Sequence, residues 1–239
     1  MYTLYGKQGA GSAAVEAALV IARAPFRFVE TASWAQNDAY ADLLAVNPLG
    51  QIPTLVQDDG SAISESAAIL IHLGTVHEDA MLLPRDMAAR AQAVRGLVFI
   101  AANCYAAISI IDFPERWCDN ADDDEAVQTR IRTGTRARLH RHWEMFADLF
   151  PARPYLSGDG IGALDLLAAV VSKWSGSRQH LEQHRPAFFE TLMRIESHPD
   201  VAPVFARNWP AKSTATAGNC QFAGTGRELA GVLSTRRQS

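Results

Sequence analysis

Two short segments contain the residues whose types and spacing could recognise a small peptide. The first reads Asn-Pro-Leu-Gly-Gln-Ile-Pro-Thr-Leu at positions 47–55, and the second begins at Ser64. Pro53 at the start of a strand cannot donate to the strand ladder, and an Ile-Pro bond can be cis, which would turn the Ile52 backbone outward. Its N–H and C=O could then pair with a peptide lying alongside.

Glu65 and Ser66 add groups that suit an amino-acid end. Ser66 is predicted at a helix N-terminus, where a hydroxyl, amide N–H groups and the positive end of the helix dipole favour a carboxylate. Glu65 can accept from an ammonium group. Taken singly, Pro53 is equally well explained as a turn residue and Ser66 as a helix cap. Their joint occurrence at this spacing predicts a site for a small peptide such as glutathione.

The two segments together resemble the glutathione-binding signature of the glutathione S-transferases. The resemblance extends over residues 1–208 and implies an α/β thioredoxin-like N-terminal domain followed by an all-α C-terminal domain. It also implies glutathione as co-substrate, a small electrophilic compound as second substrate, and a homodimer. The homodimer follows from the resemblance alone, since no residue pattern of this chain indicates it. The residues that the resemblance assigns to glutathione are Gln51, Ile52, Pro53, Glu65 and Ser66.

Two hydroxyls are candidates for stabilising the glutathione thiolate, which is the nucleophilic form of the thiol. Lowering a thiol pKa by about two units takes about 2.7 kcal/mol, and one hydrogen bond to a charged group supplies about 1.5 to 3 kcal/mol. Ser12 is the first candidate, because it opens the first predicted helix with Glu16 in its first turn. Tyr5 is the second, because tyrosine-type transferases have their phenol near the end of the first strand. The alternatives are a plain helix cap and a packed strand aromatic.

The segment before that helix, Gly9-Ala-Gly-Ser12, is similar to the Gly-Ala-Cys-Ser of bacterial beta-class transferases, with Gly11 in place of the cysteine. Without that thiol, hydroxyl assistance is favoured over mixed-disulfide chemistry.

The middle of a long apolar helix is expected to face the second substrate, near Asn103, Cys104 and Tyr105. Asn103 is a candidate contact to glutathione, including a molecule bound by a dimer partner. A satisfied core amide is the alternative reading of Asn103, and Cys104 is predicted to be a small buried hydrophobe.

Other functions on the same scaffold are a glutathione-dependent peroxidase, reductase or isomerase. The glycine at position 11 counts against disulfide reduction only. A non-catalytic dimerisation or interaction module is the alternative from another class, since a fold alone does not imply an activity. The intact Gln-Ile-Pro and Glu-Ser segments favour ligand binding.

The elements that position these residues follow from hydrophobic periodicity. They are strands at 2–5, 26–30, 54–56 and 62–63, with helices from Ser12, at 37–44 and at 67–73. This order predicts a mixed sheet in which only the hairpin is antiparallel. Helical patterns follow at 86–111, 123–150, 162–175 and 186–196. We therefore predict domains at 1–77 and 86–208 and a flexible tail at 209–239.

The segment 156–165 is similar to the buried capping-box region of the family's helical domain. Asp165 is predicted to reach back to the backbone N–H of the helix cap. The cap itself is Gly162, where the family usually has Ser or Thr. Because glycine is tolerated at caps, this segment is predicted to be structural.

Composition excludes several other classes. The 239 residues carry a formal net charge of -4 and no basic block, which disfavours nucleic acid. The apolar stretch 97–113 is interrupted by polar residues and shorter than a membrane span, so a buried helix is predicted. Cys104, Cys118 and Cys220 are widely spaced, which favours a reducing cytoplasm over a disulfide scaffold.

No metal site is predicted either, because the pairs His180/His184 and His140/His142 lack further ligands in a metal arrangement. The acidic run 122–125 is predicted to cap the following helix.

Overall fold

The computed structural model describes residues 1–32, 35, 37–118 and 125–210. Its N-terminal part contains a four-stranded sheet in the order β2–β1–β3–β4. The strands are β1 (Tyr2–Gly6), β2 (Phe26–Glu30), β3 (Thr54–Val56) and β4 (Ala62–Ser64). The predicted mixed sheet is confirmed. The prediction that only the hairpin is antiparallel is wrong, because β3 lies between β1 and β4 and runs antiparallel to both.

Three helices accompany the sheet: α1 (Ser12–Ile21), α2 (Asp38–Val46) and α3 (Ser66–Val76). Asn37 caps α2, accepting the Tyr40 N–H at 2.9 Å. The first eight residues of α1 are buried, and four of them are alanines. These small side chains allow α1 to pack against α3 on one side and the helical part of the chain on the other.

The rest of the described chain contains no strand and is helical. Its helices are α4 (Met87–Phe99), α5 (Ala106–Asp112), α6 (Glu125–Leu149), α7 (Ala163–Val171), α8 (Ser177–His184), α9 (Pro186–Glu196) and α10 (Ala202–Asn208). Trp143, Phe146, Leu97 and Leu167 are fully buried in its core. The sheet with its helices, followed by an all-helical part, confirms the predicted fold class. The short helices α8 and α10 are absent from the sequence prediction.

A π-helical segment, Ile100–Tyr105, joins α4 to α5 into one helix from Met87 to Asp112. This helix has 26 residues and a window of mean hydropathy 1.8, enough by length and composition alone to cross a membrane. Within the protein 39% of that window is buried. Leu97 and Ile100 on it are fully covered, so the helix belongs to the core.

Asp165 is fully buried at the start of α7. Its carboxylate accepts the N–H groups of Leu156 at 2.7 Å, Ser157 at 3.0 Å and Gly162 at 3.1 Å. The predicted link from Asp165 to the cap is therefore confirmed. A Cβ at Gly162 would lie 2.5 Å from Ser157 Oγ and 2.8 Å from the carbonyl oxygen of Leu82, so these neighbours leave room only for glycine.

Three sequence predictions fall largely or wholly outside the described residues. They concern the capping run 122–125, Cys220 and the tail 209–239, of which only Glu125, Trp209 and Pro210 are described. The domain boundaries 1–77 and 86–208 stay a prediction.

Candidate functional site

A cavity of about 460 Å³ lies between the sheet part and the helical part, a volume typical of ligand sites. Four pieces of chain form its wall: the loop before α1, the turn before β3, the start of α3, and the helices α5 and α7 with their flanking residues. The lining residues are Gly9, Ala10, Gly11, Gln51, Ile52, Pro53, Ser64, Glu65, Ser66, Ala67, Ala101, Tyr105, Ala106, Ile108, Ser109, Asp112, Leu167 and Trp174.

The turn before β3 presents Ile52 to this cavity, next to a cis Ile52–Pro53 bond. The buried Asn47 holds the turn: its Nδ2 donates to the carbonyl of Gln51 at 3.1 Å and to Thr54 Oγ1 at 2.9 Å. Within the described part of the chain, the Ile52 backbone makes no hydrogen bond. Its N–H and C=O are therefore available to a ligand lying along this edge.

Glu65 and Ser66 meet the same cavity from the start of α3. Glu65 has φ 66° and ψ 112°, a region that costs a non-glycine residue about 1 to 3 kcal/mol. Ser66 is the first residue of α3 and is 6% exposed. This pair provides a carboxylate beside a hydroxyl at the positive end of a helix dipole, which suits the ammonium and carboxylate of one amino-acid end.

The structure thus brings together five sequence-predicted residues in one wall, namely Gln51, Ile52, Pro53, Glu65 and Ser66. It does not bring Ser12, Tyr5 or Asn103 to that wall.

Ser12 differs from its predicted position as a cap. The N-cap of α1 is Gly11, without a side-chain cap, and Ser12 is the first helical residue. The Ser12 hydroxyl is buried and folds back on Lys7, donating to its carbonyl at 3.1 Å and accepting its N–H at 3.2 Å. Tyr5 is 7% exposed in the middle of the sheet, paired with Val29 and Thr54.

The Asn103 side chain bonds within its own helix, since its Nδ2 donates to the carbonyl of Phe99 at 3.1 Å. The backbone carbonyl of Asn103 accepts from His142 Nδ1 on α6 at 2.9 Å. These two bonds support the π-helical segment, in which regular α-helical pairing is interrupted. Cys104 next to it is fully buried, as predicted, and burial raises the pKa of its thiol.

The last residue of the π-helical segment, Tyr105, lines the same cavity as Glu65 and Ser66. Its ring is stacked on that of Trp174, with centroids 5.8 Å apart and an interplanar angle of 20°. Burial, assisted by the negative charge of Glu65, raises the pKa of Tyr105 to about 12. The sequence predicts that Tyr105 lies near the second substrate, and it assigns no chemical role to this side chain.

The C-terminal end of α10 holds the loop before α1 in place. No pattern in the sequence predicts this contact. Asn208 accepts the Gly9 N–H at 3.1 Å and donates to Glu16 at 2.9 Å, and Arg207 forms an ion pair with the same carboxylate. Glu16, which the sequence places in the first turn, is the fifth residue of α1 and the buried partner of α10.

Asp112, the last residue of α5, also lines the cavity. Partial burial raises the pKa of its carboxyl, and the charge of Arg136 opposes that shift. The described residues lining the cavity include the carboxylates Glu65 and Asp112 and no lysine, arginine or histidine.

Histidines form a separate stack on the surface of α6 and α8. His180 lies 4.3 Å from the ring centroids of both His140 and His184, and it bonds Glu144 at 2.9 Å. Across residues 1–118 and 125–210, apart from the undescribed positions, no three His, Cys, Asp or Glu side chains are grouped to hold a metal ion.

Comparison with known proteins adds the family context. Residues 1–75 match the family described as glutathione S-transferase, N-terminal domain. Over 209 residues the chain is 25% identical to the uncharacterized GST-like protein YncG of Escherichia coli K12, a match covering 87% of this chain and 98% of that protein.

Two solved structures share the fold. A glutathione transferase homolog from Sulfitobacter with bound glutathione has a TM-score of 0.74 at 22% identity, covering 85% of this chain and 96% of that one. The ternary complex of BphK, a bacterial GST, has a TM-score of 0.70 at 25% identity, covering 84% and 96%. The resemblance of Gly9–Ser12 to the bacterial beta class stays a prediction.

Proposed function

We propose that this chain, whose residues 1–75 match the glutathione S-transferase N-terminal domain, acts as a member of that family and transfers the glutathione thiolate to small electrophilic compounds. The observation that carries the proposal is the single cavity wall that joins Ile52, Glu65 and Ser66. An unpaired backbone edge beside a carboxylate and a helix N-terminus offers complementary groups to the peptide and to the amino-acid end of a γ-glutamyl tripeptide.

Glutathione is proposed to bind in one orientation. Its α-ammonium contacts Glu65, its α-carboxylate contacts Ser66 and the first turn of α3, and its cysteinyl peptide lies along Ile52, next to Gln51 and Pro53. Holding the nucleophile in a fixed pose beside a second substrate lowers the entropic part of the barrier.

The second substrate is proposed to occupy the other half of the cavity, against Ala106, Ile108, Leu167 and Trp174. This half is mainly apolar, so binding of a small hydrophobic electrophile removes nonpolar surface from water. A homodimer in the cytoplasm belongs to the same proposal, by analogy with the family.

Ser12 and Tyr5 are the residues that the sequence predicts to stabilise the glutathione thiolate. Neither lines the cavity, and the Ser12 hydroxyl already bonds Lys7 on both its donor and acceptor sides. Asn103 does not line the cavity either, and one N–H of its amide donates to Phe99 within its own helix.

The proposal is tested by retention on glutathione resin together with turnover of a generic electrophilic chromophore. Retention with turnover is expected. Retention without turnover would favour a non-catalytic binding module, and turnover of a peroxide in place of the chromophore would favour a glutathione-dependent peroxidase. A protein that binds no glutathione in calorimetry would disprove all the glutathione-dependent alternatives.

A further inference from the structure

The hydroxyl of Tyr105 lies where a side chain at position 11 would begin. Gly11 has φ -60° and ψ -19°, ordinary helical angles that any residue can adopt. A Cβ built there would overlap the Tyr105 hydroxyl oxygen and lie 2.9 Å from its Cζ. Position 11 is therefore glycine because of the space that Tyr105 occupies and not because of its backbone. Since Gly11 is the N-cap of α1, the phenol lies at the N-terminus of that helix.

The ring of Tyr105 is held from two sides. Trp174 stacks on it, and the π-helical segment that ends at Tyr105 is supported by the bonds of Asn103 to Phe99 and of His142 to Asn103. Single π-helical turns inside α-helices are frequent at functional sites, because they reorient a side chain within an otherwise regular helix. Here the reoriented side chain is Tyr105.

We propose that Tyr105, on the helical part of the chain, donates the hydrogen bond that holds the glutathione sulfur as a thiolate, together with the N-terminus of α1. The inference rests on the proposed function. With the amino-acid end of glutathione at Glu65 and Ser66 and its cysteinyl peptide beside Ile52, the thiol is proposed to face the cavity wall where the Tyr105 hydroxyl lies against Gly11.

The protonation state of Tyr105 suits a donor. Its pKa of about 12 keeps the phenol protonated at neutral pH, and the charge of Glu65 opposes phenolate formation. The thiol proton leaves to solvent, and Tyr105 keeps its own proton. The sulfur electron pair then forms the new S–C bond while the leaving group departs from the electrophile as an anion.

The test compares Tyr105→Phe with the wild-type protein in two measurements: glutathione affinity by calorimetry, and the pKa of the bound thiol by the ultraviolet absorbance of the thiolate. Loss of one hydrogen bond to a charged group should lower turnover at mildly acidic pH by about tenfold to hundredfold, with affinity changed by less than about threefold. Tyr155→Phe is the matched control, since Tyr155 contacts His198 away from this cavity.

Gly11→Ala provides a second route to the same result. The added methyl group should displace the phenol and raise the thiol pKa although the hydroxyl is still present. Because both changes remove one interaction, the double variant should be no worse than the more impaired single variant. If circular dichroism shows that Tyr105→Phe does not fold, the thiol pKa measured in Gly11→Ala tests the proposal instead.

Two results would overturn the proposal while leaving the proposed function intact. In the first, the wild-type protein lowers the thiol pKa and Tyr105→Phe leaves it lowered. In the second, the thiol pKa rises in Ser12→Ala or Tyr5→Phe and not in Tyr105→Phe. If the wild-type protein binds no glutathione, the proposed function fails and this inference fails with it.

Discussion

Asn208 holds Gly9 although 199 positions separate the two residues: the Asn208 Oδ1 accepts the Gly9 N–H at 3.1 Å. The same side chain donates to the buried carboxylate of Glu16 at 2.9 Å and to the Val204 carbonyl at 3.0 Å. One amide thereby ties the end of the last described helix to the loop that borders the cavity. The N-terminus of α1 is positioned by residues from both parts of the chain.

Asn208→Ala is expected to lower the free energy of unfolding by about 1 to 3 kcal/mol, because it leaves the partly buried Gly9 N–H without its partner and removes a donor from the buried carboxylate of Glu16. Urea unfolding measures the loss. Gln8→Ala is the control, since it removes only an exposed bond from the same loop to Arg207. Equal losses in the two variants would contradict the role assigned to Asn208.

Glu65→Gln is expected to weaken glutathione binding by about tenfold to hundredfold, because it replaces a charge-assisted hydrogen bond to the ammonium by a neutral one. Ser66→Ala should weaken it less, since the helix N-terminus remains. Calorimetric dissociation constants measure both effects. Ser61→Ala, which removes a hydroxyl from the exposed hairpin turn, should leave binding unchanged, and unaltered affinity in Glu65→Gln would refute the predicted orientation of the tripeptide.

The pH profile of turnover is expected to rise once, as the bound thiol ionises, and then to stay level into the alkaline range. The pKa of Tyr105 is about 12, so its donor proton is present until well above the pH at which the thiolate is fully formed. Initial rates with saturating glutathione test this. A fall in rate between neutral pH and about pH 9 would mean that the donor loses its proton far below the pKa of Tyr105, and would show that Tyr105 is not the donor.

Asp112→Asn is expected to lower KM for a carboxylate-bearing electrophile by about threefold to tenfold and to leave KM for a neutral analogue unchanged, because it removes a like charge from the cavity. Burial raises the pKa of Asp112. In the wild-type protein the discrimination should therefore weaken as pH falls through that raised pKa and the carboxyl becomes protonated. Identical KM ratios in the variant and the wild type at neutral pH would exclude Asp112 from substrate selection.

Gly162→Ser is expected to destabilise the protein by about 1 to 3 kcal/mol, although it restores the residue type that the family usually has at this cap. The new Cβ would lie 2.7 Å from the Ser157 Cβ and 2.8 Å from the Leu82 carbonyl oxygen. Adding Ser157→Gly should recover part of the loss. A gain in melting temperature for Gly162→Ser alone would show that the helix start can shift to admit a side chain.

Local patterns were enough for much of this fold. The strand and helix periods, the turn around Pro53 and the start of α3 at Ser66 depend on residues close together in the chain, and the structure has them where they were predicted. Asp165 follows the same logic, since its bond to Gly162 spans three residues. The helix α8 escaped prediction because its sequence, Ser-Arg-Gln-His-Leu-Glu-Gln-His, is largely polar and has only two buried residues, so its hydrophobic pattern is weak.

The sequence by itself determined the turn at Ile52 and Pro53 and the helix start at Ser66, because the backbone conformation at both places is set by near neighbours. Only the tertiary structure decided which hydroxyl lies at the N-terminus of α1 beside the cavity. Ser12 bonds Lys7, Tyr5 is covered by the sheet, and Tyr105 reaches Gly11 from a helix about ninety positions away. That choice depends on how the two parts pack, and packing between distant segments leaves no periodic signal in the chain.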